Sequence, residues 1–167
     1  MASTPRHCLV CGARLRAARE HRFRRWRCPR CGWTFYNNPV PATVAIVTGP
    51  RGILLCRRAA EPFRGTWDLA GGFLEADERP ERGLRRELRE ELGARLRSAR
   101  FVGFEIDRYG AGGVPVLGLV FAVRVAGRIR ARSDVSEARW FPADAIPWRQ
   151  IGFASIRRAL RAYLRSR

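Results

Sequence analysis

The sequence contains no lysine, so its basic character rests entirely on arginine. All 33 residues in the combined lysine and arginine count are arginine, against 15 acidic residues, for a formal net charge of +18. The guanidinium group of arginine can donate two parallel hydrogen bonds to one phosphate group. A polyanionic partner is therefore one interpretation of the charge. A codon bias that replaces lysine with arginine is the other, although it does not account for the excess over acidic residues. On either interpretation the charge attracts nucleotides electrostatically.

The sequence also lacks long apolar runs. No stretch of about 18 consecutive apolar residues occurs, which argues against a transmembrane helix and a membrane partner. The N-terminal residues MASTPRHC lack the apolar centre of a signal peptide, so we expect a cytoplasmic protein. With 167 residues, of which 46% are hydrophobic, the chain can form one domain of usual size and a small appendage.

Cysteine is scarce, and four of the five cysteines lie within residues 1–36. They form two Cys-x-x-Cys-Gly knuckles, at Cys8 and Cys11 and at Cys28 and Cys31. Thiolates at this spacing can share one tetrahedral ion, and four thiolates leave no ligand position for water. The pattern resembles a zinc ribbon and predicts a structural Zn²⁺ bound by these four residues. Rubredoxin-like iron and a pair of disulfides are the alternatives, the second disfavoured without a secretion signal.

The segment between the knuckles is rich in arginine, with Phe23 and Trp26 among the basic residues. Basic residues interleaved with aromatics can bind single-stranded nucleic acid through charge and stacking. A solvated ribbon whose aromatics pack a small core explains the same residues, and we favour it. The ribbon is then expected to brace the fold or a homodimer, with any nucleic-acid binding weak and non-specific.

The most informative stretch is GFLEADERPERGLRRELREELG, at residues 72–93. A helix over Pro80 to Leu92 places Glu87, Glu90 and Glu91 on one face, where the carboxylates repel one another. A hard divalent cation such as Mg²⁺ or Mn²⁺ removes that repulsion because it prefers oxygen ligands. Leucines recur every four residues on a neighbouring face and can bury it against a core. The alternative is an ordinary surface helix laced by salt bridges.

The same stretch resembles the signature of the Nudix hydrolases: Gly, five residues, Glu, seven residues, Arg-Glu, an aliphatic, any residue, Glu-Glu, any residue, Gly, and a last aliphatic. Ala94 departs mildly at that last position. The resemblance implies an α/β (α+β) Nudix fold in which a mixed β-sheet lies between helices. We expect a zinc ribbon at residues 1–36, a linker at 37–41 and the Nudix domain at 42–167.

The resemblance also implies roles for single residues. The divalent metal is expected to bind Glu87, Glu90 and Glu91 and the Gly72 carbonyl. Relatives often contribute a carboxylate from a later loop, so Asp134 and Glu137 are further candidates for ligand or base. Glu78 and Arg86 resemble an ion pair that braces the loop against the helix. The expected catalytic set is therefore Glu78, Arg86, Glu87, Glu90 and Glu91.

For the reaction, the resemblance implies hydrolysis of the pyrophosphate in a nucleoside diphosphate linked to another moiety. The ribbon is similar to that of NADH pyrophosphatases, but these enzymes carry Ser-Gln-Pro-Trp-Pro-Phe-Pro where this chain has GFEIDRYG, at residues 103–110. We therefore expect an ADP-ribose-like substrate, with NADH, NAD or NAD-capped RNA as the alternative. A zinc-ribbon nucleic-acid-binding protein with a nucleotide-sensing Nudix domain is a further hypothesis, which the complete glutamate set disfavours.

Residues that contact the nucleotide are harder to predict. Tyr109 lies where some dinucleoside polyphosphate hydrolases have tyrosine, although a plain surface loop fits equally well. Phe63, Trp67 and Phe73 are candidates for stacking on a base, and each also fits a place in the core.

Overall fold

The computed structural model describes residues 5–111 and 113–166. Residues 1–4, 112 and 167 fall within the predicted ribbon and Nudix ranges but lie outside the described residues. The first part of the described chain forms a small antiparallel sheet of three strands, ordered β1-β2-β3. Its members are β1 (Arg16–Glu20), β2 (Phe23–Arg27) and β3 (Thr34–Phe35). β1 and β2 form the hairpin between the two cysteine knuckles.

The second sheet has seven strands, and its main path runs β10-β5-β4-β9-β8. Two short strands pair off this path, β6 with β5 and β7 with β4. β4 and β9 run parallel whereas the other pairs are antiparallel, so the sheet is mixed, as predicted. The strands are β4 (Val40–Gly49), β5 (Gly52–Arg58), β6 (Trp67–Asp68), β7 (Ala70–Phe73), β8 (Arg95–Tyr109), β9 (Val114–Ala126) and β10 (Val135–Phe141).

A helix covers each face of this sheet, which confirms the predicted layers. α1 (Pro80–Leu92) begins with a proline and ends at Gly93, whose φ of 62° is the left-handed conformation that closes many helices. Its buried leucines pack against one apolar cluster of the sheet. α2 (Ala154–Arg165) packs against the other face. Neither helix, nor any other among the described residues, is long and apolar enough to cross a membrane.

Two 3-10 turns, Ala143–Ala145 and Trp148–Gln150, connect β10 to α2. Elsewhere the elements extend beyond the sequence expectations. β4 begins at Val40, inside the expected linker at 37–41, because Val40 and Pro41 already pair with β9. β8 begins at Arg95, although exposed arginines and two bulges hide its alternation in the sequence. The domain limits themselves remain predictions.

Candidate active site

Glu91 of α1 is a buried carboxyl group at the edge of the apolar cluster that the α1 leucines form with the sheet, here called the α1 core. It is 6% exposed, and one of its oxygens accepts a hydrogen bond from the Gly71 backbone N–H at 2.9 Å. Burial raises the pKa of Glu91 to about 9, the Gly71 N–H works against that rise, and the charges of Asp134 and Glu87 add to it. The Gly71 N–H offsets only part of the cost of burying this charge, so a nearby cation would stabilise the ionised carboxylate.

Glu87 lies directly against the β7 backbone. A Cβ atom added to Gly72 would meet the Glu87 carboxylate at 2.4 Å, so any side chain at this position would displace it. Burial also raises the pKa of Glu87, whereas its contact with Arg86 opposes the rise. Glycine at position 72 therefore lets the backbone of β7 approach the Glu87 carboxylate. Oxygen atoms of this kind are the ligands that Mg²⁺ and Mn²⁺ prefer.

Arg86 ties the preceding loop to α1, and the ion pair predicted with Glu78 is present. Its guanidinium donates to both Glu78 oxygens at 3.0 and 2.9 Å, and to the Phe73 carbonyl at 3.0 Å. It also donates to Glu87 at 2.7 Å and to Glu90 at 3.2 Å. The hydrogen bonds from Arg86 lower the pKa of Glu78 to about 2. Arg86 thus fixes the loop and two of the predicted metal ligands at once.

The two later carboxylates take different positions. Asp134 lines the same cavity as Glu87, and its charge raises the pKa of both Glu87 and Glu91. Glu137 instead pairs with Arg57 at 3.4 Å and with Arg139, and it does not contribute to the cavity lining. Of the pair, Asp134 is the carboxylate placed beside the α1 glutamates.

The cavity next to these carboxylates has a volume of about 350 Å³. Besides Glu87 and Asp134 it is lined by three aromatic residues, Phe73, Tyr109 and Phe153. The Tyr109 ring stacks on Phe153 with centroids 5.9 Å apart, and Phe73 meets Tyr109 edge-on at 5.2 Å. The same pocket therefore offers oxygen donors for a metal and aromatic surface for a nucleobase.

Of the four residues considered for nucleotide contacts, Phe73 and Tyr109 line the cavity. The structure corrects the expectation for Trp67, whose indole is 3% exposed and packs edge-on against Phe141 in the core. Trp67 therefore has no free face for a base. Phe63 is exposed, and its ring centroid lies 4.9 Å from that of Phe153. Phe63 itself is not among the residues that line the cavity.

Sequence reasoning missed a polar network in the cavity wall, centred on Arg58 at the end of β5. Arg58 donates to Asp68 at 3.0 Å, to the Tyr109 hydroxyl at 3.3 Å and to the Pro62 carbonyl at 2.6 Å. Burial raises the pKa of Asp68 to about 6 even though Arg58 opposes the rise. The one available signal was Asp68 itself, a charged residue inside the otherwise apolar stretch Trp67-Asp68-Leu69-Ala70.

The four ribbon cysteines converge at the end of the small sheet. Their sulfurs all lie within 4.8 Å of one another, with Cys8 to Cys31 and Cys11 to Cys28 each at 3.5 Å. These distances exclude disulfides in this structure, because bonded sulfurs lie about 2.05 Å apart. Four sulfurs at about 2.3 Å from a tetrahedral zinc would be about 3.8 Å apart, so the cluster fits one Zn²⁺.

Local backbone geometry builds the two knuckles in the same way. In each, the glycine after the second cysteine donates its N–H to the carbonyl of the first, Gly12 to Cys8 and Gly32 to Cys28, both at 3.0 Å. The Cys31 N–H lowers the pKa of Cys28 to about 6. The Trp33 N–H lowers that of Cys31, but desolvation and the neighbouring sulfurs outweigh it and raise the pKa to about 12. A cation between the sulfurs would favour their ionised form, because it offsets the repulsion among neighbouring thiolates.

Comparison with known proteins places this architecture in a family. The family model for the NUDIX domain matches residues 38–163. The NAD-capped RNA hydrolase NudC of Pseudomonas aeruginosa is 32% identical over 143 residues, covering 85% of this chain and 49% of that protein. The ADP-ribose pyrophosphatase of Methanocaldococcus jannaschii is 33% identical over 118 residues, covering 69% of each. The chain thus spans about half the length of the NudC relative.

Solved structures agree with the sequence matches. A NUDIX hydrolase from Nitrosomonas europaea superimposes with a TM-score of 0.76 at 27% identity, covering 98% of this chain and 92% of that one. The match extends over nearly all of the chain, ribbon residues included. With the Gly72-to-Gly93 motif, the carboxylate helix and the mixed sheet in place, the chain belongs to the Nudix family.

Proposed function

We propose that this chain hydrolyses the pyrophosphate bond of a nucleoside diphosphate linked to another moiety, with an ADP-ribose-like compound as substrate and Mg²⁺ or Mn²⁺ as cofactor. One observation carries the proposal: Glu87 of α1 lines the same cavity as the aromatic side chains of Phe73 and Tyr109. Nudix proteins as a family combine a divalent metal with a phosphate-containing substrate, and the lining of this cavity offers oxygen donors for the metal and aromatic side chains for a base.

The α1 carboxylates and the backbone around Gly72 hold the cation in this proposal, with Glu87, Glu90 and Glu91 as ligands. When bound, the cation neutralises pyrophosphate oxygens and lowers the pKa of a water. Asp134 lines the cavity beside these ligands and accepts the proton from the attacking water. Arg86 keeps Glu87 and Glu90 in position through its two hydrogen bonds.

Phe73 and Tyr109 bind the base end of the nucleotide. Arg58 holds the Tyr109 hydroxyl and lies 5.2 Å from the Phe153 ring centroid, so the Tyr109 and Phe153 rings are fixed before substrate arrives. Water then attacks a phosphorus, the bridging P–O bond breaks, and two phosphomonoesters leave. For ADP-ribose these products are AMP and ribose 5-phosphate.

An ADP-ribose-like substrate has two supports. One relative of comparable length is named an ADP-ribose pyrophosphatase. In addition, residues 103–110 lack the Ser-Gln-Pro-Trp-Pro-Phe-Pro stretch that marks NADH pyrophosphatases. Residues 103–109 belong to β8, which supplies Tyr109 to the cavity wall, so the difference lies at the site itself.

NADH, NAD or NAD-capped RNA is the second candidate. It is favoured by the NudC relative, which matches this chain across more residues than the ADP-ribose pyrophosphatase does. We propose that the four-cysteine cluster binds a structural Zn²⁺. The ribbon that carries this cluster resembles the ribbon of NADH pyrophosphatases, which also favours the second candidate.

A comparison of catalytic efficiency decides between the candidates. Purified protein is assayed with ADP-ribose, NADH and NAD-capped RNA at saturating Mg²⁺ or Mn²⁺, and the products are identified by mass. We expect ADP-ribose to give the highest kcat/KM and to yield AMP. A tenfold preference for NADH or capped RNA reverses the order, whereas tight binding without turnover of any compound supports the nucleotide-sensing alternative.

A further inference from the structure

Thr43 in β4 carries a hydroxyl group that lacks a partner within the part of the chain that the structure describes. The residue is 1% exposed, and its Oγ1 has no hydrogen-bond partner among the described residues. Arg25 Nε is in a comparable position but lies 3.5 Å from a Glu20 oxygen. A buried hydroxyl without a partner destabilises a protein, and valine has nearly the same shape without that cost. The presence of a hydroxyl here therefore requires an explanation.

The strand register places this side chain beside the metal site. Thr43 pairs with Gly72 across β4 and β7, and two residues on, Ala45 pairs with Ala70. Ala45 and Ala70 both belong to the apolar cluster under α1. Since residues two apart on a strand share a face, the Thr43 side chain also stands on the α1 face.

Glu87 occupies the space next to that position. Its carboxylate lies where a side chain on Gly72 would be, 2.4 Å from the hypothetical Cβ, and Gly72 is the direct cross-strand neighbour of Thr43. Thr43, Gly72 and Glu87 all line the same cavity. The unpartnered hydroxyl is thus adjacent to a proposed metal ligand rather than sealed in the apolar core.

We propose that Thr43 is a positioning residue for the cation, and that its hydroxyl accepts a hydrogen bond from a water molecule bound to that cation. The inference rests on the proposed function, because it presumes a divalent ion at the α1 carboxylates. Mg²⁺ keeps several of its waters when it binds to proteins, and those waters need acceptors. Groups that orient the surroundings of a metal typically change its affinity about 10- to 100-fold when they are removed.

The test compares Thr43→Val and Thr43→Ser with wild type, using Mn²⁺ affinity by electron paramagnetic resonance and melting temperature with and without Mn²⁺. We expect Thr43→Val to melt at the same or a higher temperature than wild type without Mn²⁺, because it loses only an unpartnered hydroxyl. Its Mn²⁺ affinity should fall at least tenfold, and Thr43→Ser should restore most of it.

Thr48→Val is the matched control in the same strand. Its hydroxyl already donates to the Val123 carbonyl at 3.3 Å, so its loss should lower the melting temperature with and without Mn²⁺ and leave Mn²⁺ affinity unchanged. Unchanged Mn²⁺ affinity in Thr43→Val overturns the proposal while the proposed function stands. A lower melting temperature of Thr43→Val without Mn²⁺ also overturns it, since the hydroxyl would then have a protein partner. Wild type that neither binds Mn²⁺ nor hydrolyses a nucleotide overturns both proposals.

Discussion

The Glu91 carboxylate accepts a hydrogen bond from the backbone N–H of Gly71, at 2.9 Å. This contact joins the last turn of α1 to the strand that carries Gly72, so the helix and the strand hold one site together. Among residues 5–111 and 113–166, Gly71 N–H is the one hydrogen-bond donor to the Glu91 carboxylate. In the absence of metal, the protonation state of Glu91 should therefore affect the stability of the folded protein.

Stability without divalent metal should fall as pH rises, because the folded-state pKa of Glu91, about 9, lies above the ordinary glutamate value of 4.5. The stabilisation of the fold by protonated Glu91 is complete below pH 4.5 and is lost progressively as pH rises from there through about 9. Each unit of such a shift corresponds to about 1.4 kcal/mol, so the loss should amount to a few kcal/mol. Urea unfolding at pH 5 and pH 9 in magnesium-free buffer measures it.

Glu91→Gln should remove most of this pH dependence, whereas Glu90→Gln, at an exposed position of the same helix, should keep it. Binding of Mn²⁺ at pH 7 should also release protons from the wild type, because the ligand must be ionised to bind. A steep loss of stability that survives Glu91→Gln would show that another group is responsible.

The ribbon should contain about one zinc per chain, held by the four cysteine sulfurs that lie within 4.8 Å of one another. Elemental analysis of purified wild type and of the double variant Cys8→Ser with Cys28→Ser tests the site. We expect the variant to lose the zinc, because two oxygens replace ligands on opposite knuckles. Replacing Cys56, which is buried in the α1 core, should leave the zinc content unchanged. Zinc that persists in the double variant contradicts the assignment.

Phe73→Ala should raise KM about tenfold with a smaller effect on kcat, because stacking of a base on an aromatic ring contributes about 1 to 3 kcal/mol. Phe101→Ala is the control: its ring is also exposed, but it is not among the residues that line the cavity. Steady-state kinetics on ADP-ribose separate the two constants. Equal KM values for the two variants would remove Phe73 from the substrate site.

The arginines of the ribbon hairpin should contribute weakly to nucleic-acid binding. Arg22 lies over Phe23, Arg24 over Trp26, and Arg25 over both Phe23 and Tyr36, so the aromatics pack against arginine side chains of the ribbon. We expect weak, salt-sensitive binding to single-stranded RNA that loses about one phosphate contact per arginine replaced by alanine. Sub-micromolar binding at physiological salt that is abolished when Arg22, Arg24 and Arg25 are all replaced by alanine would show that the ribbon is a nucleic-acid interface.

Local patterns in the sequence predicted the parts of the site that lie close together along the chain. The helix at Pro80–Leu92, the pair of Glu78 with Arg86 and the two cysteine knuckles are separated by short, fixed spacings that backbone geometry converts directly into proximity. The mixed sheet between helices followed from the resemblance to the Nudix family. The homodimer and the domain limits stay predictions.

The rest depends on contacts between distant segments. Arg58 reaches Tyr109 across 51 positions, and nothing in either segment alone indicates that their side chains share a cavity wall. Trp67 was considered as one of several aromatic residues for base stacking, yet the T-shaped contact with Phe141 keeps it in the core. The Thr43 hydroxyl became noticeable only when strand pairing placed it beside Gly72.

Hydrolysis of ADP-ribose by wild type, Glu90→Gln and Glu91→Gln at saturating Mg²⁺ tests the central claim most directly. Glu81→Gln serves as control, since it removes an exposed glutamate from the first turn of the same helix. We expect wild type and control to release AMP and ribose 5-phosphate, and each of the two site variants to lose roughly 100-fold or more in kcat while still folding. Near-full activity of both site variants would contradict the assignment of the α1 carboxylates as the metal site.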